Sequence, residues 1–370
     1  MNMHFLLLVL SFTQILSKQI FEETKIKNIK FKNRLFKGAV ADFCFIDGKI
    51  TEEGLKYYEE YAINGVGSII TGGSLVDNNY KLSSGFFLID DDKYIPEYQK
   101  LTSLMHKYDT NIFSQISSSS FNSEGKFIGP SKAYETVFKQ ESIEITKEEI
   151  LSIEDAIAKG ALRAKKAGFD GVELVSNHWG LYPSFLSRHY NKRNDEYGGT
   201  TENRARLMVE TIEKIRKVVG NDFIIMIKIN CRESFEDSFT EDDFITYCKL
   251  AEKAGVDLIE VSSGDYREIK TKELNGRPFY LDYTIKASES VNIPVILIGG
   301  IRDLDTIENV LQNTKIEYFG LCRPLMCEPD LPKYWKEKGN RKSKCISCNG
   351  CFKKHACVFK DKNKKKNLKE

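Results

Sequence analysis

Cys345, Cys348, Cys351 and Cys357 put four thiols into the thirteen residues CISCNGCFKKHAC. Thiols at such spacing bind metal, form disulfides or carry redox traffic. The chain has nine cysteines, an odd number, and Cys44, Cys231, Cys248, Cys322 and Cys327 are scattered through apolar segments rather than arranged as a secreted disulfide scaffold. A reducing compartment is the reading. A second set of residues stands where apolar runs end: Gly72 and Gly73, Gln115, His178, Lys228 and Asn230, Gly299 and Gly300, and Arg323. Glycine-glycine pairs and cations at such ends suit anion binding, and an imidazole or carboxamide there suits hydrogen bonding to a planar ligand.

These residues need a scaffold that brings the ends of many strands together. The short apolar runs are LFKGAVAD, GSIITGG, NIFSQI, GVELV, FIIMIKIN, LIEVSSG, PVILIGG and YFGLC, with amphipathic helical patterns between them. In residues 146–166 apolar positions recur at three- and four-residue steps, and Thr146 with Glu149 predicts a capping box. AGFDGVEL, AGVDLIEV and VVGNDFIIM place a glycine stop before the next strand. Eight βα units predict an α/β protein, a (β/α)8 TIM barrel, whose chemistry sits at the strands' C-terminal ends. The length of 370 residues suits one such barrel.

The expected organisation is an apolar extension over 1–17, a barrel over 18–340, and a Cys-rich segment with a Lys-rich tail over 341–370. MNMHFLLLVLSF resembles the core of a signal peptide but lacks a preceding Lys or Arg and a following A-x-A-like site; a start called too far upstream is the other reading. Its apolar run is too short to span a membrane. With 41% hydrophobic and 29% charged residues and a formal charge of +2, the chain reads as a globular protein without the basic field that nucleic acid requires. A small-molecule enzyme of the cytoplasm is expected, with no membrane or nucleic-acid partner; the oligomeric state is left open.

Two strands contribute to one end of this barrel. LIGGIRD and GLCRPL place Gly299, Gly300 and Arg323 after strands seven and eight, where a phosphorylated cofactor binds in this architecture. The plain alternative is a tight βα turn. Lys228, ending strand five, could stabilise an anionic ring or form an ion pair inside the barrel mouth, while Gln115 could read paired donors and acceptors on that ring.

GLYPSFLSRHYNKRNDEYGGTTENRARLMVETI resembles the signature of the Old Yellow Enzyme family of FMN-dependent ene reductases, in F-L-S, N-K-R-x-D-E-Y-G-G and E-N-R-x-R. FKNRLFKGA, AGFDGVEL, AGVDLIEVSSG, IPVILIGGIRD and CRPLMCEPDLPKYW extend the likeness over most of the chain. The resemblance implies FMN on the barrel's C-terminal face: Gln115 at the pyrimidine, Lys228 near N1, and Gly299, Gly300, Cys322 and Arg323 at the phosphate. Backbone around Ala39, Val40 and Gly73 would line the ring. NADH or NADPH would donate hydride on the same face, since no GxGxxG unit occurs. Arg204 and Arg206 are expected to tie the loop after strand four to its helix.

The chain departs from the family pattern at its substrate face. Anchored on FLS, Val175, His178 and Gly180 stand where relatives carry a His-x-x-His or His-x-x-Asn pair and a proton-donating Tyr. His178 alone is kept, as a hydrogen-bond donor to a substrate carbonyl or as a structural histidine. Tyr182 is the candidate displaced proton donor, with water as the alternative, and Trp179 would pack over the pocket. Ala41 and Ser118 replace a flavin-tuning Cys or Thr and a frequent His.

Larger relatives, the 2,4-dienoyl-CoA reductases and trimethylamine dehydrogenases, carry a [4Fe–4S] cluster after the barrel. The C-x2-C-x2-C-x5-C spacing here also resembles that of bacterial ferredoxins. Iron–sulfur, zinc with His355 as a substitute ligand, and free or reversibly oxidised thiols are the three readings of Cys345, Cys348, Cys351 and Cys357. The expected activity is FMN-dependent, NAD(P)H-driven reduction of activated C=C bonds. Its rivals are electron exchange with a ferredoxin-like carrier or oxidative demethylation, a non-catalytic flavin sensor or scaffold, and, colourless, a flavin-free lyase.

Overall fold

Each of the eight apolar runs forms a strand in the computed structural model, which describes residues 18–42, 44–77, 87–135, 139–178, 180–263, 277–351 and 356–359. The N-terminal apolar extension, Trp179, His355 and the Lys-rich tail lie outside the described residues. The strands are β1 Leu35–Lys37, β2 Ser68–Leu75, β3 Asn111–Ser117, β4 Gly171–Ser176, β5 Ile224–Asn230, β6 Leu258–Ser262, β7 Val295–Ile298 and β8 Tyr318–Leu321. Every neighbouring pair is parallel, and β8 pairs with β1 through Gly320 opposite Phe36, so the sheet closes as an eight-stranded barrel. The sequence-predicted (β/α)8 fold is therefore the observed one.

Helices return the chain between strands: α1 Glu52–Ile63, α2 Ile95–His106, α3 Lys147–Lys166, α4 Thr201–Val219, α5 Glu241–Ala254, α6 Leu281–Ser290, α7 Leu304–Asn313 and, after β8, α8 Leu331–Lys338. The capping box at α3 is formed: Glu149 N–H donates to Thr146 Oγ1 at 3.2 Å and Thr146 N–H to Glu149 Oε2 at 2.7 Å. Two orphaned amides at the helix start are thereby satisfied. At the end of α5, Gly255 takes φ 110°, which closes the last turn where a Cβ would be strained.

The barrel has an apolar floor. Phe36, Ile70, Phe113, Ile224, Met226, Leu258, Ile296 and Tyr318 form one buried cluster inside it. A hairpin of Thr24–Ile26 and Ile29–Phe31 seals this end, placing the Phe31 ring 5.5 Å from that of Tyr318 and 6.2 Å from that of Phe113. A sealed floor leaves the other end as the entrance, where the strand C-termini gather.

Candidate functional site at the barrel mouth

Side chains alternate along a strand, so Gln115 shares the inward face of Phe113, Lys228 that of Met226 and Glu260 that of Leu258. Above an apolar floor the barrel thus carries a polar layer: Gln115, Glu173, Lys228 and Glu260, from β3 to β6. Lys228 Nζ lies 2.6 Å from Glu260 Oε1, the ion pair that was one reading of Lys228. Gln115 Nε2 donates to Glu173 Oε2 at 2.7 Å, and Glu173 Oε1 has no hydrogen-bond partner among the described residues. Gln115 Oε1 faces Gly73, where it is the nearest atom to the place a Cβ would take, at 3.9 Å.

The electrostatics follow from burial. Desolvation alone would lower the Lys228 ammonium, but the carboxylates of Glu260 and Glu173 reverse this and hold it above the ordinary lysine range. Burial, reinforced by Glu260, pushes the Glu173 carboxyl up to about 8 against the pull of Lys228 and Gln115. Burial likewise raises the Cys322 thiol, whose Sγ rests 3.7 Å from Ala39 O. A Cβ on Gly38 would stand 2.7 Å from that sulfur, so a glycine is required beside it. Val40 and Gly72 are in close approach at the same rim, the position of a Gly72 Cβ lying 3.0 Å from Val40 O.

His178 follows β4 with φ 59°, a left-handed conformation uncommon outside glycine. Asn230, at the end of β5, holds it there: His178 N–H donates to Asn230 Oδ1 at 2.9 Å and Asn230 Nδ2 donates to His178 O at 3.2 Å. Tyr182 is not brought to this rim. It is buried with its hydroxyl 2.9 Å from Thr211 Oγ1 of α4, and burial raises its phenol further, which corrects its assignment as proton donor. Its helix, Leu181–Leu186, turns that ring toward the outer layer.

Gly299 and Gly300 take φ 86° and 83° directly after β7, turning the chain where Phe279, Tyr280 and Pro278 crowd both Cβ positions. Arg323 donates through Nη1 to Asn349 Oδ1 at 2.6 Å, and Arg302 donates to Ser347 Oγ. The Cys-rich segment is therefore docked on the barrel's glycine-rich end, with Ser343 N–H also donating to Arg302 O at 2.7 Å. Cys345, Cys348, Cys351 and Cys357 line one cavity of about 20 Å³ with Arg323 and Met326. That space holds about one water. Among the described residues no three His, Cys, Asp or Glu converge on a metal-ion site, and no disulfide is formed. Burial, and then the neighbouring Cys357, pushes the thiol of Cys327, a fifth cysteine near this segment, up to about 12.

Sequence reasoning missed Glu173, Glu260 and Arg302. The signal was available, since a carboxylate in register with inward apolar residues of GVELV or LIEVS must face the barrel interior. Arg204, on α4, holds the segment after β4 by donating to Gly199 O at 2.6 Å and Leu186 O at 3.2 Å, and its guanidinium, 5% exposed, also pairs with Asp243 of α5 at 2.9 Å. Arg206 Nε donates to Glu196 O at 2.7 Å.

A closed parallel barrel with a polar, glycine-rimmed mouth defines a TIM-barrel enzyme scaffold. Residues 19–342 match the model of the NADH:flavin oxidoreductase / NADH oxidase family. The chain belongs to that family, the Old Yellow Enzyme family. It is 33% identical over 348 residues to an NADH oxidase of Thermoanaerobacter brockii, covering 90% of this chain and 53% of the relative. A cinnamate reductase of Clostridium sporogenes is 28% identical over 368 residues, 90% of this chain and 55% of the relative. Among solved structures, a 2-naphthoyl-CoA reductase in complex with 2-naphthoyl-CoA superposes with a TM-score of 0.81 at 25% identity, over 89% of this chain and 54% of that one. The chain thus spans about half the length of these relatives. Among the described residues no helix is long and apolar enough to cross a membrane.

Proposed function

We propose that the chain binds FMN across the barrel mouth and reduces C=C bonds conjugated to a carbonyl or carboxylate, with NADH or NADPH as hydride source. The observation that carries this reading is the polar layer. A barrel interior needs no lysine, carboxamide and glutamates for packing, and burying them carries a desolvation cost that packing does not require, which is the mark of a ligand site above. The group fits the residues present: Gln115 turns its carbonyl toward Gly73, Lys228 stands paired with Glu260 beneath the mouth, and the half-buried glycines at 299 and 300 turn the chain after β7.

When bound, FMN supplies two-electron hydride chemistry. Gln115 would accept a hydrogen bond from the pyrimidine edge, and Lys228, its charge offset by Glu260, would donate a hydrogen bond on the N1 side. Ala39, Val40 and Gly73 would give the ring a backbone surface, and Gly299, Gly300, Cys322 and Arg323 would hold the phosphate. His178 would donate to the substrate carbonyl oxygen, drawing electron density from the β-carbon. With Tyr182 turned into the outer layer, the proton for the α-carbon comes from water reaching the open mouth.

The spacing of Cys345, Cys348, Cys351 and Cys357 supports a second reading, in which the thiolates hold an iron–sulfur cluster and a ferredoxin-like carrier delivers single electrons. Thiolate donors suit iron and zinc alike, and among the described residues no three of them converge on a metal-ion site, so metal analysis decides between the two and free thiols.

The deciding experiment is the absorption spectrum of anaerobically purified full-length protein, with iron and zinc analysis of the same sample. Flavin bands, and faster reoxidation of the reduced protein by an enone or cinnamate, are the expected result. Iron with a broad visible shoulder moves the electron source to the carrier. A flavin that no unsaturated acceptor reoxidises indicates a sensor, and a colourless protein that takes up no FMN overturns the proposal.

A further inference from the structure

Lys228 and Glu260 stand opposite each other on β5 and β6, in register, with side chains 6% and 0% exposed. At 2.6 Å they form a tight ion pair in the barrel interior, while Glu260 Oε2 has no hydrogen-bond partner among the described residues. A lone ammonium here would act on the mouth as a unit charge. Paired this closely, the two charges act as a dipole, whose field a few ångströms away is much weaker. The other carboxyl of the layer, Glu173, is bound to Gln115 rather than to Lys228.

We infer that Glu260 is a positioning residue that acts through Lys228: by cancelling its charge, it withholds stabilisation from the anionic, reduced form of the ring bound above and makes that ring a stronger reductant. This inference rests on the proposed FMN binding. Packing does not explain the pair, because the neighbouring inward residues Leu258 and Met226 fill the same strands without charge.

The test is the midpoint potential of FMN bound to full-length wild type, to Glu260→Gln, and to the Lys228→Met/Glu260→Gln double variant, measured anaerobically against a reference dye. Glu260→Gln is expected to favour reduced over oxidised FMN at least tenfold more than wild type, an upward shift of about 30 mV for a two-electron couple. The double variant is expected to return to within threefold of wild type. An unchanged or lowered potential in Glu260→Gln overturns the inference. If that single variant does not fold, a tenfold fall in the double variant overturns it instead, since Lys228 would then act unopposed. If wild type takes up no FMN, the functional proposal fails, and urea midpoints of the flavin-free proteins judge the pair. A Glu260→Gln loss larger than that of the double variant supports pairing; a double-variant loss larger than that of Glu260→Gln refutes it.

Discussion

His178 shows why a residue's backbone can matter as much as its side chain. Its left-handed φ of 59° is disfavoured for a residue bearing a Cβ, and two hydrogen bonds from one carboxamide offset the cost. Asn230→Ala removes both bonds and leaves two half-buried backbone groups of His178 without these partners. It is expected to cost about 1–3 kcal/mol of stability. Acceptor-dependent reoxidation should fall about tenfold with FMN affinity unchanged, because the imidazole is released from its place. Retained turnover in a folded Asn230→Ala would show that His178 needs no such clamp. His178 itself could be read from sequence because it lies just beyond an apolar run. The clamp could not be read: Asn230 was legible as a strand-end residue, but its partner is set by how far β4 and β5 are staggered, which no local pattern encodes.

At the level of elements, the strands were legible because each apolar run is short and bounded by glycine or polar residues, and α3 because its cap and period agree. The sealing hairpin was not, since TKIKNIKF alternates lysine with apolar residues and its meaning depends on the floor it covers. Nor was the docking of the Cys-rich segment, which depends on Arg302 and Arg323 reaching Ser347 and Asn349. Between α4 and α5, Asp243 performs two tasks: it closes the capping box with Thr240 and pairs with Arg204. Although burial opposes ionisation, bonds from Thr201 and Thr240, with the Arg204 charge, bring its carboxyl down to about 2. Arg204→Met leaves that carboxylate with the half-exposed Arg188 alone as its cationic partner. The expected loss is about 3–5 kcal/mol in urea unfolding. Arg204 contacts nothing in the polar layer, so the potential of any bound flavin should be unmoved; a loss below 1 kcal/mol would mean that Arg188, 2.7 Å from the same carboxylate, substitutes for it.

For the whole molecule, the buried carboxyls set an unusual pH dependence. Burial pushes Glu173 up to about 8, and Glu154 and Glu233 up to about 7, so the folded chain keeps protons that the unfolded chain loses near pH 4.5. A state that binds more protons is destabilised as pH rises, and stability should therefore fall between about pH 5 and 8. His106 acts in the same direction: its hydrogen bond to Asp170 raises the imidazole, so that contribution is also lost as pH climbs. On the acid side the sign reverses. Asp243, held near 2, contributes stability above the ordinary aspartate range that disappears as pH falls toward 2. The two limbs together predict a maximum near pH 5, acid of neutrality, in melting temperature measured from pH 3 to 8.5. Glu233→Gln keeps an oxygen for the Ser187 hydroxyl, which donates to Glu233 at 2.8 Å, but cannot titrate. It should flatten the limb between pH 5 and 7 by about 1 kcal/mol per pH unit, while Glu173→Gln should flatten the part that extends to pH 8. A wild-type profile that rises or stays level from pH 5 to 8 would mean that these glutamates ionise in place, with water or the bound cofactor supplying the solvation that the protein interior does not.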